Sequence, residues 1–121
     1  MKMSDFTLLK EAFAGGVAHG IVEADYHGDL VHVIGINVYG EAYIAFVNYT
    51  LPLDELKPYL RPMTDITCTE NRKSMVMHGG EEYAYFDKQH LDYRGLIRKG
   101  LAIAVTKEYN PYRELKKKNN G

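Results

Sequence analysis

Between Val17 and Leu51 the chain offers little but β-strand material broken by glycine, and this constrains the fold more than any other feature. Val17 to Tyr26, Leu30 to Tyr39 and Ala42 to Leu51 are rich in Val, Ile and Tyr, the residues that suit a pleated, half-buried surface. They are separated by His27-Gly28-Asp29 and by Gly40-Glu41. Connections this short, with glycine, join neighbouring strands as hairpins. The expected result is an antiparallel three-stranded meander. In its third strand Tyr43, Ala45, Val47 and Tyr49 fall on one face, and Ile44, Phe46, Asn48 and Thr50 on the other. Both faces carry apolar bulk. A helix is expected to cover one, and further protein or a ligand the other.

Helices are expected on both sides of this sheet in sequence. Ser4 fits an N-cap and Asp5 the positive end of a helix dipole. Phe6, Leu9 and Phe13 then recur at helical spacing, and Gly15-Gly16 reads as the stop. After the meander, Leu51 to Pro62 reads as a stiff connector, because Pro58 and Pro62 restrict it. Thr64 to Met77 is ambiguous. Thr64-Asp65 suits a cap, whereas Thr67, Thr69 and Val76 favour strand. Glu81 to Leu91 reads as helix, with Tyr83, Phe86 and His90 on one stripe. Asp92 is expected to cap a short helix from Tyr93 to Lys99, ended by Gly100. Leu101 to Thr106 reads as a last strand. The fold class is therefore α+β: a three- to four-stranded meander over about 17–51, plus a strand near 101–106, packed with an N-terminal helix and short C-terminal helices. A length of 121 residues with 45% hydrophobic and 26% charged residues fits one globular domain over 1–121, with a flexible basic tail from about 112.

Several function classes are disfavoured by what is missing. The single cysteine, Cys68, permits no intrachain disulfide, unlike most small secreted domains. No apolar run is long enough to span a bilayer, and the first ten residues do not read as a signal peptide. A cytoplasmic protein is expected. Neither a P-loop nor a GxGxxG sequence is present. Cys68 has no evident base partner and reads as a packing residue. His19, His27 and His32 lie beside Asp25 and Asp29, but without the tight spacing of a metal motif. No metal and no cofactor are expected.

Charge is uneven along the chain. Residues 1–91 hold 13 acids and 7 bases, a net of −6, while residues 92–121 hold 3 acids and 8 bases, a net of +5. In a helix, Arg94 and Arg98 stand at i and i+4, where two guanidinium forks hold a phosphate or carboxylate. The plainer reading pairs Arg94 with an acid of the negative region. Ten tyrosines and no tryptophan suit either a packed sheet or a stacking surface for ligands. The candidate ligand-binding set is Arg94, Arg98, Tyr93, Arg61, Tyr43 and Tyr49, with no catalytic residue.

Two stretches carry a resemblance. Leu56-Lys57-Pro58-Tyr59-Leu60-Arg61-Pro62-Met63, and Leu91-Asp92-Tyr93-Arg94-Gly95-Leu96-Ile97 with Lys99-Gly100-Leu101-Ala102, together resemble a group of short uncharacterised proteins from Bacteroidales phages, prophages and mobile elements. The likeness spans about Leu51 to Ala104. The chain departs from the group between the blocks, with Cys68, Gly79-Gly80, and Tyr85-Phe86 where a Trp often stands. The resemblance implies an origin and no catalytic role. The expected function is that of a non-enzymatic phage or mobile-element accessory protein. It acts by stoichiometric binding of a host protein or of a small anionic ligand such as a defence-signal nucleotide. A small metal-dependent hydrolase built on the histidines is one alternative, and a nucleic-acid-binding protein using the basic C-terminal part is another. Self-association through the second sheet face is a further partner reading.

Overall fold

The structure, a computed structural model, describes residues 1–112; the predicted basic tail, with Lys116, Lys117 and Lys118, lies outside the described residues. The elements in chain order are α1 (Met3–Val17), β1 (Val22–Tyr26), β2 (Asp29–Ile36), β3 (Glu41–Ile44), β4 (Thr50–Pro52), β5 (Leu56–Leu60), α2 (Cys68–Met75), α3 (Glu81–Lys88) and β6 (Ile103–Ala104), with single 3-10 turns at Leu53–Glu55 and Met63–Asp65. The strands form one six-stranded sheet in the order β4-β3-β2-β1-β5-β6. It is antiparallel except for β5 and β6, which run parallel. The class is α+β, as the sequence implies, but with six strands in place of three or four.

The chain length between strands forces this sheet to roll. β4 and β5 stand four places apart, which in a flat sheet is about 19 Å at the usual strand spacing. Yet Pro52 and Leu56 are separated only by the turn Leu53–Glu55, and four steps of chain reach about 14 Å at full extension. The sheet therefore curls, and Leu53, fully buried, closes the inside of the curl. There α1 lays Leu9 and Phe13 against Val22, Ala24, Val33, Ala42, Ile44, Leu51 and Leu56. A smaller cluster of Ala12, Leu60, Leu96 and Ala102 continues the core under the C-terminal segments.

Four expectations are corrected. Gly15-Gly16 does not stop α1, which runs to Val17. These glycines serve close approach: a Cβ at Gly15 would collide with the Asp87 carboxylate, and one at Gly16 with Val22 Cγ2. The run Ala42 to Leu51 is two short strands, not one. Tyr43 pairs with Thr50, and residues 45–49 turn between them, so the alternation of faces past Ile44 does not exist. Its apolar composition conceals a turn whose Phe46 has φ +69°. The third correction concerns Leu56–Leu60, an inner strand paired with β1 and not a connector. Pro58 is tolerated because β6 reaches only Tyr59 and Leu60, so β5 is still an edge there. Finally, residues 93–99 form successive turns and no helix. Gly95 has φ +78°, which the interior of a right-handed helix does not accommodate.

The ambiguous stretch resolves as helix. Thr67 accepts from the Glu70 backbone N–H at 3.1 Å, and the Glu70 carboxylate accepts from the Thr67 N–H at 3.0 Å. This is a reciprocal capping box, one turn beyond the expected Thr64-Asp65 cap.

Candidate functional site

The positions predicted to bind a ligand do not converge. Arg61 follows β5, and its guanidinium donates to both Glu70 carboxylate oxygens at 2.7 and 2.8 Å. It also donates to the Asp65 and Gln89 carbonyls. The pair is mostly buried, with side chains 17% and 11% exposed. Arg61 and the Thr67 N–H hold the Glu70 carboxyl down to about 2, against the opposing effect of burial. Arg94 is used in the same way. Its Nη1 donates to Asp87 Oδ1 at 2.7 Å, and its guanidinium carbon lies 4.4 Å from the Tyr93 ring centroid. Tyr93 packs between Tyr83 and Phe86, and burial first of all pushes its hydroxyl up to about 12. The plainer reading of Arg94, an ion pair with an acid of the negative region, is the observed one. Because 93–99 is not helical, Arg94 and Arg98 share no helix face; Arg98 is exposed.

The two sequence blocks meet at this place. Arg61 bridges Leu91 in parallel fashion, with Arg61 N–H donating to His90 O at 2.7 Å and Asp92 N–H to Arg61 O at 2.9 Å. The Asp92 carboxylate then accepts from Leu96 and Ile97 N–H. Under them lies a cavity of about 10 Å³ lined by Asp87, His90, Arg94 and Leu96 among others, room for about one water. An open cleft by Thr106 and Lys107 reaches about 180 Å³, well below the roughly 300 Å³ at which ligand pockets begin.

The outer, convex face of the sheet holds a feature that no sequence pattern singles out. Glu23 alternates with the core residues Val22 and Ala24, so its side chain points outward, yet it is fully buried. The Tyr112 hydroxyl sits over the ends of β1 and β5, donating to Tyr59 O at 2.9 Å and accepting from Glu23 N–H at 3.1 Å. His32, directly across on β2, hydrogen-bonds Glu23 Oε2 through Nδ1. Among the described residues, Glu23 Oε1 has no hydrogen-bond partner. Desolvation raises the Glu23 pKa, and His32 partly offsets it. Such a pair can hold and move a proton. Among the described residues no group of three His, Cys, Asp or Glu side chains is placed to hold a metal.

What the molecule does present outward is aromatic and apolar, on the β3–β4 hairpin. Tyr43 is 46% exposed, Phe46 98%, Val47 38% and Tyr49 61%. Ala45 N–H donates to His32 O at 2.9 Å, fixing the turn at the end of the sheet that carries Leu30, itself 40% exposed, and Asp25 and Asp29. Phe46 combines near-complete exposure with a left-handed backbone, a genuine outlier for a bulky side chain. Neither burial nor local propensity accounts for it, and such outliers gather where chains bind. Tyr43 and Tyr49 are the two predicted residues that belong to this surface; Phe46 was not among them. The signal available was the polar Asn48 inside an apolar run.

Fold and surface together define a small α+β domain in which Arg61 and Arg94 are spent on internal ion pairs and in which the most exposed large apolar side chain among the described residues, Phe46, stands at a hairpin tip. No family model, curated protein or solved structure matches the chain. Among the described residues no helix is long and apolar enough to cross a membrane.

Proposed function

We propose that this is a non-enzymatic accessory protein of phage or mobile-element type that acts by stoichiometric docking on a host protein through the β3–β4 hairpin. The observation that carries the reading is Phe46, 98% exposed at φ +69°. Its surroundings fix the character of the partner. From Glu11 to Glu55 the chain has seven acids and no lysine or arginine. An aromatic tip on such a sheet suits an apolar recess with a basic border; phosphate backbones and anionic lipid are repelled. The internal pairing of Arg61 and Arg94 favours this protein-docking form over capture of a small anion.

The test is quantitative affinity capture from bacterial lysate with the wild-type protein, Phe46→Ser, and Tyr39→Ser as an exposed aromatic control between β2 and β3. The expected result is a protein retained by wild type and Tyr39→Ser, and reduced at least tenfold by Phe46→Ser. Equal capture by all three defeats the proposal.

A further inference from the structure

The proposed docking tip has a counterpart on the same chain. Residues 57–121 hold 13 bases and 8 acids, against the base-free acidic stretch that carries the hairpin. Within this half, the C-terminal turn of α2 is basic and apolar at once. Arg72 and Lys73 are exposed, and neither forms an ion pair among the described residues. Beside them Met75 is 74% exposed and Val76 72%. The chain then passes through Gly79 and Gly80, both at positive φ, and a Cβ at Gly79 would meet nothing within 4 Å. Tyr83, 51% exposed, follows on α3. The corner between α2 and α3 thus carries an exposed apolar pair, Met75 and Val76, with Arg72 and Lys73 on its α2 side, and Tyr83 with the exposed acid Glu81 on its α3 side.

We infer that this corner is the receptor for the β3–β4 hairpin of a second copy of the chain. This rests on the docking role of the hairpin and names an occupant for it when no host partner is present. The complementarity is of two kinds. Phe46, Val47 and Tyr49 meet Met75, Val76 and Tyr83, while Asp25 and Asp29 at the hairpin's end of the sheet meet Arg72 and Lys73. Tip and receptor are different surfaces, so the contact is head-to-tail. Such an interface repeats from copy to copy, giving open chains or closed rings, and does not stop at a two-fold dimer. Edge pairing of strands is not the route: the exposed edge β4 has three residues and ends in Pro52.

The test is sedimentation of the full chain over low-micromolar to near-millimolar concentration, with Phe46→Ser in the tip and, separately, Val76→Glu in the receptor. Both positions are exposed, and circular dichroism checks that each variant is folded. Wild type is expected to grow in mass with concentration past the dimer or to a ring, and to dissociate with added salt. Each variant alone is expected to stay monomeric, with self-affinity reduced about thirtyfold or more, as for loss of a central anchor. An equimolar mixture is expected to form a dimer and nothing larger, because one variant keeps only the receptor and the other only the tip. Lys73→Glu gives a second, milder receptor lesion with the same sign. A wild type that is monomeric throughout, an unaffected Val76→Glu, or a mixture that stays monomeric overturns the inference. Should wild type be monomeric while a lysate protein still requires Phe46, self-recognition falls and host docking stands.

Discussion

Replacing Phe46 by Asn should make the protein more stable while removing its docking. The ring is 98% exposed, so its removal forfeits almost no buried apolar surface. The backbone sits at φ +69°, where a residue with a Cβ is disfavoured by roughly 1–2 kcal/mol and Asn by less. The expected gain is about 1 kcal/mol, or about 4 °C in Tm for a domain of this size. Urea titration measures it as a higher midpoint at unchanged slope. Phe46→Ala is the control. It removes the ring but keeps a Cβ in the same conformation, so its stability should stay within about 0.5 kcal/mol of wild type. Both variants should lose the Phe46-dependent contact. Gain of stability with loss of binding is the pattern of a residue kept for function against the preference of the fold. A loss of more than about 1 kcal/mol in the Asn variant would refute the reasoning, since it would mean that the ring packs within its own chain.

Three further perturbations address the scaffold. Glu70→Ala leaves the mostly buried Arg61 guanidinium with only the longer 3.4 Å pair to the exposed Asp65 and removes half of the α2 capping box; a loss of about 3 kcal/mol is expected by denaturant titration, and a loss below about 1 would show that the pair is incidental. Gly16→Ala drives a methyl into Val22 where α1 crosses the sheet and should cost about 2 kcal/mol, whereas an unchanged midpoint would show that the helix moves aside freely. His90 is lowered to about 4, by burial first and by the Arg61 charge second. The unfolded chain therefore takes up a proton near 6.5 that the folded chain refuses, and stability falls as pH drops from 6.5 to 4, by at most about 3 kcal/mol. Glu70 acts lower: its contribution is complete above its ordinary value of 4.5 and disappears as pH falls toward 2. His90→Asn, which tolerates the local φ of +60°, should flatten the upper window of the stability curve and leave the lower one; an unchanged slope between 6.5 and 4 would remove His90 from the account.

The parts of the fold legible in the sequence are those where local pattern and tertiary environment agree. The first two strands follow from runs of Val, Ile and Tyr broken by glycine, α1 from the Phe6, Leu9, Phe13 stripe, and α3 from the Tyr83, Phe86, His90 stripe. Three misreadings have one cause: a residue's local meaning was overridden by what lies against it. Gly15-Gly16 ends a helix in isolation, but here Asp87 and Val22 occupy the space where side chains would stand. Pro58 excludes a central strand unless the next strand stops short, as β6 does. Asp92 with i, i+4 arginines suggests a helix, but its carboxylate caps a turn held by Gly95. The candidate site was legible only in Tyr43 and Tyr49. Phe46 reads as one more strand aromatic until its backbone angle is known, and Glu23 reads as a surface acid until Tyr112, 89 residues away, is seen to cover it.

The two sequence blocks, Leu56 to Met63 and Leu91 to Ala102, acquire a physical meaning once they are seen to touch. Leu56 to Met63 supplies an inner strand and Arg61; Leu91 to Ala102 supplies the parallel bridge to Arg61, the Asp92-capped turns and Arg94. Each arginine is neutralised by an acid lying between the blocks in sequence, Glu70 in α2 and Asp87 in α3. The segment between is therefore clamped at two points while the outer surfaces of α2 and α3 remain free to differ. That arrangement separates a scaffold, made by the blocks and their ion pairs, from the surfaces proposed to meet other molecules: the hairpin tip and the α2–α3 corner. A change at Arg61 or Arg94 should then be read out as lost stability, and a change at Phe46 or Val76 as lost association at unchanged or improved stability. Loss of association in an Arg94 variant that keeps full stability would show that the two roles are not divided in this way.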